Sequence, residues 1–196
     1  MRILFFTLAI VALLAGCAGT HPVHYYTIDM PAAPPGAAKP DGLAVVVGLI
    51  TTPEALQDGR IRYRAGANEV GAYEYHRWTE RPGVLVRNAL VGALRANGHF
   101  RRVMEASSAT TGDYLLRGRL HVFDEVDGAQ IETKISLHVE LIDLKTNRDV
   151  WDLSVQRSEP VSGKTVPEVV ASMDRNLREV AGQIAAGIDQ FLAGRR

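Results

Sequence analysis

The chain has 196 residues, 46% of them hydrophobic, and its 22 basic residues are balanced by 22 acidic ones. This balance excludes the basic surface that binds nucleic acid and a strongly acidic face for cationic ligands. The length remaining after a leader suffices for one domain with a sizeable core. Since Cys17 is the single cysteine, no disulfide can form within one chain and the fold depends on packing.

The N-terminus has the pattern of a lipoprotein signal. Met1-Arg2 is basic, residues 3–14 are apolar apart from Thr7, and the tetrapeptide Leu-Ala-Gly-Cys ends at Cys17. The apolar run is shorter than the roughly 20 residues that span a bilayer. This pattern predicts that residues 1–16 are a signal peptide that is removed, and that Cys17 is then lipidated. The alternative is an ordinary signal peptide, or an N-terminal anchor, with a chance cysteine.

Lipidation at Cys17 also predicts where the protein resides. Two or more acyl chains hold a protein firmly on a membrane, whereas one chain is marginal. Ala18, rather than Asp, follows the cysteine, and with the usual lipoprotein sorting this favours transfer to the periplasmic face of the outer membrane, with the inner membrane as the alternative. Residues 17–22 are predicted to be a lipid-anchored tether, and residues 23–196 a single α+β domain.

The first part of that domain is predicted to begin with strands. Residues 23–30 form a strand rich in β-branched and aromatic residues, and residues 31–40 are a Pro-rich, extended linker. Residues 43–50 are apolar on both faces, which favours a central strand that is covered on both sides. Two further strands are expected at residues 60–64 and 70–78.

A long antiparallel hairpin is the next prediction. In residues 114–123 the alternation places Leu116, Leu120 and Val122 on one face and Arg117, Arg119 and His121 on the other. Residues 131–141 alternate in the same way, and this period of two is typical of half-buried strands. Residues 124–130 would be the turn, and residues 150–155 the following strand.

Two helices complete the fold. The first spans residues 82–97, with proline in its first turn and a stop at Asn97-Gly98. The second is long, about 25 residues, and amphipathic, and begins with a capping box formed by Thr165 and Glu168. The predicted fold class is α+β: an antiparallel or mixed sheet with two helices packed on one face, as a two-layer sandwich.

No motif in the sequence predicts catalysis, a metal site or a bound cofactor. The chain contains neither a nucleophile elbow, nor a zinc-binding helix, nor a Gly-rich phosphate loop. His121 and His138 could face each other across the hairpin, although solvated strand residues are the alternative. Residues 124–128 resemble part of a calcium loop but lack its remaining acids, so an ordinary turn is favoured.

Aromatic and basic side chains supply the candidate contact residues. Tyr25 and Tyr26 open the domain, and Trp78 precedes the first helix, so these residues are candidates for contact with a lipid or a partner. Packing against the sheet is the alternative for the aromatic residues. Arg117 and Arg119, on the polar face of the hairpin, are further candidates for partner contact.

Several segments, in order and spacing, resemble the ABC-type transport auxiliary lipoproteins, a family that includes the paraquat-inducible C protein. After the cysteine of the signal come His24-Tyr-Tyr-Thr-Ile28, the stretch of residues 45–56, Arg60-Ile-Arg-Tyr-Arg64 and residues 73–80. None of these motifs is catalytic. Family members usually have an aromatic residue where this chain has Ala55, so a role that depends on that aromatic is not expected here.

The resemblance implies a non-enzymatic role in a transport system that connects two membranes. Its partners would be a mammalian-cell-entry domain protein in the periplasm and its ABC permease and ATPase, and a homo-oligomer is compatible with this role. The chain would dock or receive that assembly at the outer membrane, with phospholipid or another hydrophobic molecule as cargo. Two alternatives are a structural lipoprotein that assists assembly of an envelope component, and a hydrolase using Ser107, Ser108 or Ser162.

Overall fold

A computed structural model describes residues 21–29, 42–107 and 111–195 of the chain. The signal peptide, Cys17 and the Pro-rich linker lie outside these residues. The strands are β1 (His24–Tyr26), β2 (Ala44–Thr51), β3 (Arg60–Arg64), β4 (Val70–Trp78), β5 (Arg102–Glu105), β6 (Tyr114–Val126), β7 (Glu132–Asp143) and β8 (Arg148–Pro160). The helices are α1 (Pro82–Ala96) and α2 (Val166–Ala193), and a short 3₁₀ turn spans Glu54–Leu56.

All eight strands belong to one mixed sheet, organised around β6. One edge of β6 pairs antiparallel with β7, which in turn pairs antiparallel with β8. Two strands pair parallel with the other edge of β6: β2 pairs with the first half of β6, and β3 pairs with its C-terminal end. Beyond them, β5 extends the sheet from β2, while β4 and then β1 extend it from β3. The sheet therefore forks, and β8 is at the end opposite the fork.

The two helices pack on the same face of the sheet and make the second layer. α1 packs on β2 and against α2, and α2 packs on both β7 and β8. The core between the layers contains fully buried residues from both, such as Val47, Leu116, Leu137, Leu177 and Ile184. The predicted α+β sandwich with two helices on one face is thus confirmed, and its other face has no helix among the described residues.

The helix boundaries follow the predicted signals. Pro82 occupies the first turn of α1, and Gly98, with a φ of 65°, follows its end. Thr165 and Glu168 form the predicted capping box at the start of α2, where the Glu168 carboxylate accepts hydrogen bonds from the Thr165 backbone N–H (2.9 Å) and hydroxyl (2.7 Å). Neither described helix has the length and apolarity needed to cross a membrane.

A bulge in β6 corrects the predicted hairpin. The pairing with β7 shifts register between Leu120 and Val122, so the side-chain phase reverses there. Phe123 (1% exposed) therefore enters the core, whereas Val122 pairs with Ser136 on the opposite face. The prediction that Val122 shares the core face with Leu120 is wrong, because the extra residue in the bulge interrupts the strict alternation of side chains between the two faces.

Other boundaries also differ from the prediction. β6 continues to Val126, so the turn begins at Asp127 and Asp124 is a strand residue. The first strand is shorter than predicted and β8 is longer, since β7 pairs with it along nearly its whole length. β5 was not predicted, because its four residues carry little periodicity and are held by parallel pairing to β2.

Candidate functional site

The side of the sheet without helices presents the charged residues predicted from the hairpin, and we call this surface the open face. Arg117 and Arg119 of β6 are both exposed there. Two rows of paired residues cross it: Arg117 lies opposite Glu140, and Arg119 lies between Thr51 and His138. The alternation of the sequence predicted this placement correctly as far as the bulge.

Arg117 is held in place by acidic neighbours. Its guanidinium donates to Glu140 at 2.8 Å and lies 3.7 Å from Asp149. The hydrogen bond with Glu140 raises the pKa of Arg117, and the same bond lowers the pKa of the Glu140 carboxyl. His138 lies 3.4 Å from the other Glu140 oxygen and 2.9 Å from the Ser154 hydroxyl. The charge of Arg117 is therefore already compensated within the chain.

Arg119 differs from Arg117 because no acidic side chain in the described ranges pairs with it. Its neighbours across the sheet are Thr51, His138 and, one strand further, Ser154. Arg119 is therefore an exposed cation without an acidic partner in the described ranges. His121 lies in the bulge and His138 opposite Arg119, so the two histidines do not face each other as one pair.

Two buried acidic residues, Asp124 and Glu125, lie at the end of β6. Asp124 (2% exposed) accepts a hydrogen bond from Arg64 at 2.7 Å and lies 3.5 Å from Arg62. The Tyr73 hydroxyl donates to Glu125 at 2.9 Å, and burial raises the pKa of both groups. No three His, Cys, Asp or Glu residues within the described segments could together hold a metal ion.

The aromatic residues divide into a surface set and a core set. Tyr25 is 65% exposed on β1, while the Tyr26 hydroxyl lies 2.9 Å from Nδ1 of His76, whose ring also stacks on His24. Trp78 (4% exposed) packs against Phe123 with ring centroids 5.4 Å apart and an interplanar angle of 64°. The prediction of Trp78 as a contact residue is therefore corrected, because burial removes its ring from any partner.

A cleft that sequence reasoning missed lies where β2 ends and α1 begins. Its volume is about 420 Å³, and its lining includes Leu49, Thr52, Arg81, Val84 and Arg87. Leu49 is 72% exposed, although it belongs to a strand predicted to be covered on both faces. A register irregularity of β2 against β6, between residues 47 and 50, turns Leu49 outward, and no periodicity in the sequence signals it. The cleft thus combines apolar surface with two guanidinium groups.

Ser107 and Ser162 are in loops, and Ser108 and Cys17 lie outside the described residues. The structure thus brings the hairpin arginines together on one face and separates them from Tyr25 and Tyr26, which belong to the β1 branch of the fork.

Comparison with known proteins supports a single family. The model of a family described as "ABC-type transport auxiliary lipoprotein component" matches residues 26–185. Protein XCC0632 from Xanthomonas campestris is 17% identical, with a TM-score of 0.76 over 88% of this chain and 97% of that one. A second structure, of an uncharacterized protein, is 15% identical, with a TM-score of 0.68 over 86% and 99% of the two chains. At these identities the likeness shows the shared fold alone, and no curated protein matches the chain.

Proposed function

Because the chain belongs to the ABC-type transport auxiliary lipoprotein family, we propose that it is the docking or receiving subunit of an ABC transport system and performs no catalysis itself. Its partner would be a mammalian-cell-entry domain protein that connects it with the permease and ATPase at the inner membrane. The cargo would be phospholipid or another hydrophobic molecule that moves between the two membranes. The family's fold connects the chain with this role by analogy, and the open face and the cleft add physical support.

The observation that supports docking is the open face itself. Helices cover one side of the sheet, whereas the other side carries charged and polar side chains from β6, β7 and β8. Arg119 has no acidic partner there within the described residues, while Arg117 is compensated by Glu140 and Asp149. An uncompensated cation on a broad polar surface favours association with an acidic patch on another protein.

The lipid anchor would place this surface in the periplasm. We infer that residues 1–16 are removed and that the acyl chains on Cys17 hold the protein to the outer membrane. In the described part, His21 is the residue nearest to that anchor along the chain, and β1 begins three residues later, at His24. The domain would then lie close to the membrane, within reach of an assembly that arrives from the inner membrane.

The cleft between β2 and α1 is the surface that suits the proposed cargo. Leu49 and Val84 can contact an apolar chain, while Arg81 and Arg87 can approach an anionic head group. Arg87 already pairs with Glu105 at 2.9 Å, so Arg81 is the side chain expected to contribute most to an incoming anion.

Charge reversal tests the docking role. We expect Arg119→Glu in the full chain to lower recovery of the mammalian-cell-entry protein in a mild-detergent pull-down by about tenfold or more, since juxtaposed like charges cost several kcal/mol at an interface. The matched control is Lys145→Glu, the same change of charge at an exposed residue in the turn after β7. Both variants should keep the wild-type unfolding midpoint, because each changes one exposed side chain.

The pull-down also has an outcome that contradicts the proposal. If Arg119→Glu and Lys145→Glu recover the partner as well as the wild type does, the open face is not the docking surface. If the wild-type chain is captured in full yield without any mammalian-cell-entry protein, the transport role itself fails. Envelope defects without a lipid-transport defect would then favour a structural lipoprotein.

A further inference from the structure

The residues that follow the proposed anchor form an exposed aromatic cluster at the β1 edge of the sheet. The ring of His21 stacks on that of Tyr75 in β4, with centroids 5.0 Å apart. Val23 is 40% exposed, and Tyr25, two residues later, is 65% exposed. These two belong to the five large hydrophobic side chains that are exposed in the described part of the chain. Exposed apolar side chains that cluster in this way mark an interaction site, whereas scattered ones do not.

Tyr25 lies on the open face of the sheet, whereas its two neighbours in β1 lie on the helix side. Tyr26 packs against the core and is in register with the buried Trp78. The ring of His24 stacks on that of His76, with centroids 5.2 Å apart. Successive side chains of a strand point to opposite faces, so Tyr25 points away from the helices. The two sides of β1 are therefore different: one is packed, and the other presents Tyr25 to solvent.

A cation without an acidic partner lies next to Tyr25. Arg77 of β4 is in register with Tyr25 on one side and with Arg60 of β3 on the other. Asp58 accepts a hydrogen bond from Arg60, but no acidic side chain in the segments that the structure describes pairs with Arg77. Like charges directly opposite each other on neighbouring strands are unfavourable, so an anion beside Arg77 would be stabilising. We call the residues of this surface the β1 patch: His21, Val23, Tyr25, Tyr75 and Arg77.

We propose that the β1 patch lies against the head groups of the membrane that holds the anchor, and so fixes how the domain is oriented on that membrane. This inference rests on the proposed lipidation of Cys17. The four residues from Cys17 to His21 extend over at most about 14 Å, so the patch is within reach of the lipid surface. Tyrosine rings are enriched at the head-group level, where their apolar body and polar tip are both accommodated. The guanidinium of Arg77 would donate hydrogen bonds to a lipid phosphate.

A lipid contact at β1 leaves the proposed docking surface on β6 accessible. β4 and β3 lie between β1 and β6 in the sheet, so three strand spacings of about 4.8 Å separate the two surfaces. Neighbouring strands are usually rotated by about 20–25°, which turns the surface of β6 by roughly 60–75° relative to that of β1. Arg119 would therefore be directed away from the bilayer when Tyr25 faces it. The membrane and a protein partner would occupy different parts of the same sheet.

Fluorescence quenching by lipid tests this contact. The full chain, purified from membranes, would be reconstituted in vesicles of phosphatidylethanolamine and phosphatidylglycerol that contain a lipid with a nitroxide near its head group. We expect an NBD dye on Tyr25→Cys to be quenched several-fold more than the same dye on His24→Cys. His24 is the matched control, because it is exposed and equally close to the anchor but lies on the other side of β1. Adding Arg77→Glu to Tyr25→Cys should lower the quenching to the level of the control, since a carboxylate repels the anionic head groups.

The mass of the N-terminal peptide in the same preparation separates failure of the anchor from failure of the contact. An unmodified Cys17 overturns the anchor and the lipid contact together. A lipidated chain with equal quenching at the two positions, or with stronger quenching at His24→Cys, overturns the lipid contact alone and leaves the docking role intact. Val23→Cys provides a second probe that keeps Tyr25, and weak quenching there also contradicts the proposal. The wild type, whose lipidated Cys17 has no free thiol, measures the background of labelling.

Discussion

Replacement of Trp78 by alanine tests the assignment of this residue to the core. Trp78, the last residue of β4, is 4% exposed, and its ring packs edge-on against Phe123 of β6. Removing a buried tryptophan costs about 3–5 kcal/mol, a large fraction of the ~5–15 kcal/mol by which domains are stable. With a urea dependence of roughly 2 kcal/mol per molar, the unfolding midpoint of Trp78→Ala should fall by about 2 M.

The assay is urea unfolding followed by far-UV circular dichroism, with Tyr25→Ala as the control. Tyr25 is 65% exposed on β1, so its truncation should change stability by no more than about 0.5 kcal/mol. A double-mutant cycle of Trp78→Ala with Phe123→Leu should give a coupling of about 0.5–1.5 kcal/mol for the ring pair. A Trp78→Ala midpoint within error of the wild type would refute the core assignment and restore Trp78 as a surface contact.

Three further changes test other parts of the structure. Gly83→Ala should destabilise the folded protein by about 1–3 kcal/mol, because a Cβ at this position would lie 2.6 Å from the Ile50 carbonyl oxygen. Gly182→Ala should instead stabilise α2 by about 0.5–1 kcal/mol, because the space around Gly182 is open. Equal urea midpoints for the two variants would contradict both predictions. Burial raises the pKa of Glu125 above its ordinary 4.5, so the folded state favours the neutral carboxyl group and the wild type loses stability as the pH rises through the raised pKa. The stability of Glu125→Gln relative to the wild type should therefore increase from pH 4 to pH 8. A difference in stability that stays constant with pH would refute the burial of this carboxyl group. Arg81→Glu should reduce cross-linking of the full chain to a photoactivatable anionic phospholipid several-fold, whereas the neutral control Gln156→Ala should leave cross-linking unchanged. Equal cross-linking of the two variants would show that the cleft does not contact the lipid.

The local pattern of the sequence predicted the elements that periodicity or capping determines. The strand Arg60–Arg64 and the strand Val70–Trp78 have the predicted bounds, and α2 begins at the predicted capping box. The alternation along β6 also predicted that Arg117 and Arg119 would share the exposed face. In each case the signal lies within the segment itself, because side-chain phase and caps are local properties.

What the sequence could not supply depends on pairing between distant segments. The bulge at His121 reverses the phase of β6, and β5 exists because residues 102–105 meet β2 in parallel register. The burial of Trp78 depends on Phe123, 45 residues later in the chain. The cleft at Leu49 arises where β2 leaves its register with β6, so the candidate lipid-contact residues Arg81 and Leu49 had no sequence signal of their own.

The measurement that tests the transport role most directly combines membrane fractionation with capture of the full chain. Wild type and Cys17→Ala would be captured in mild detergent from membranes separated by density, and co-captured proteins identified by mass spectrometry together with the N-terminal peptide. The proposal predicts a lipidated Cys17 in the outer-membrane fraction, a mammalian-cell-entry protein enriched with the wild type, and loss of both with Cys17→Ala. Efficient capture of the wild-type chain with no such protein in any membrane fraction would contradict it.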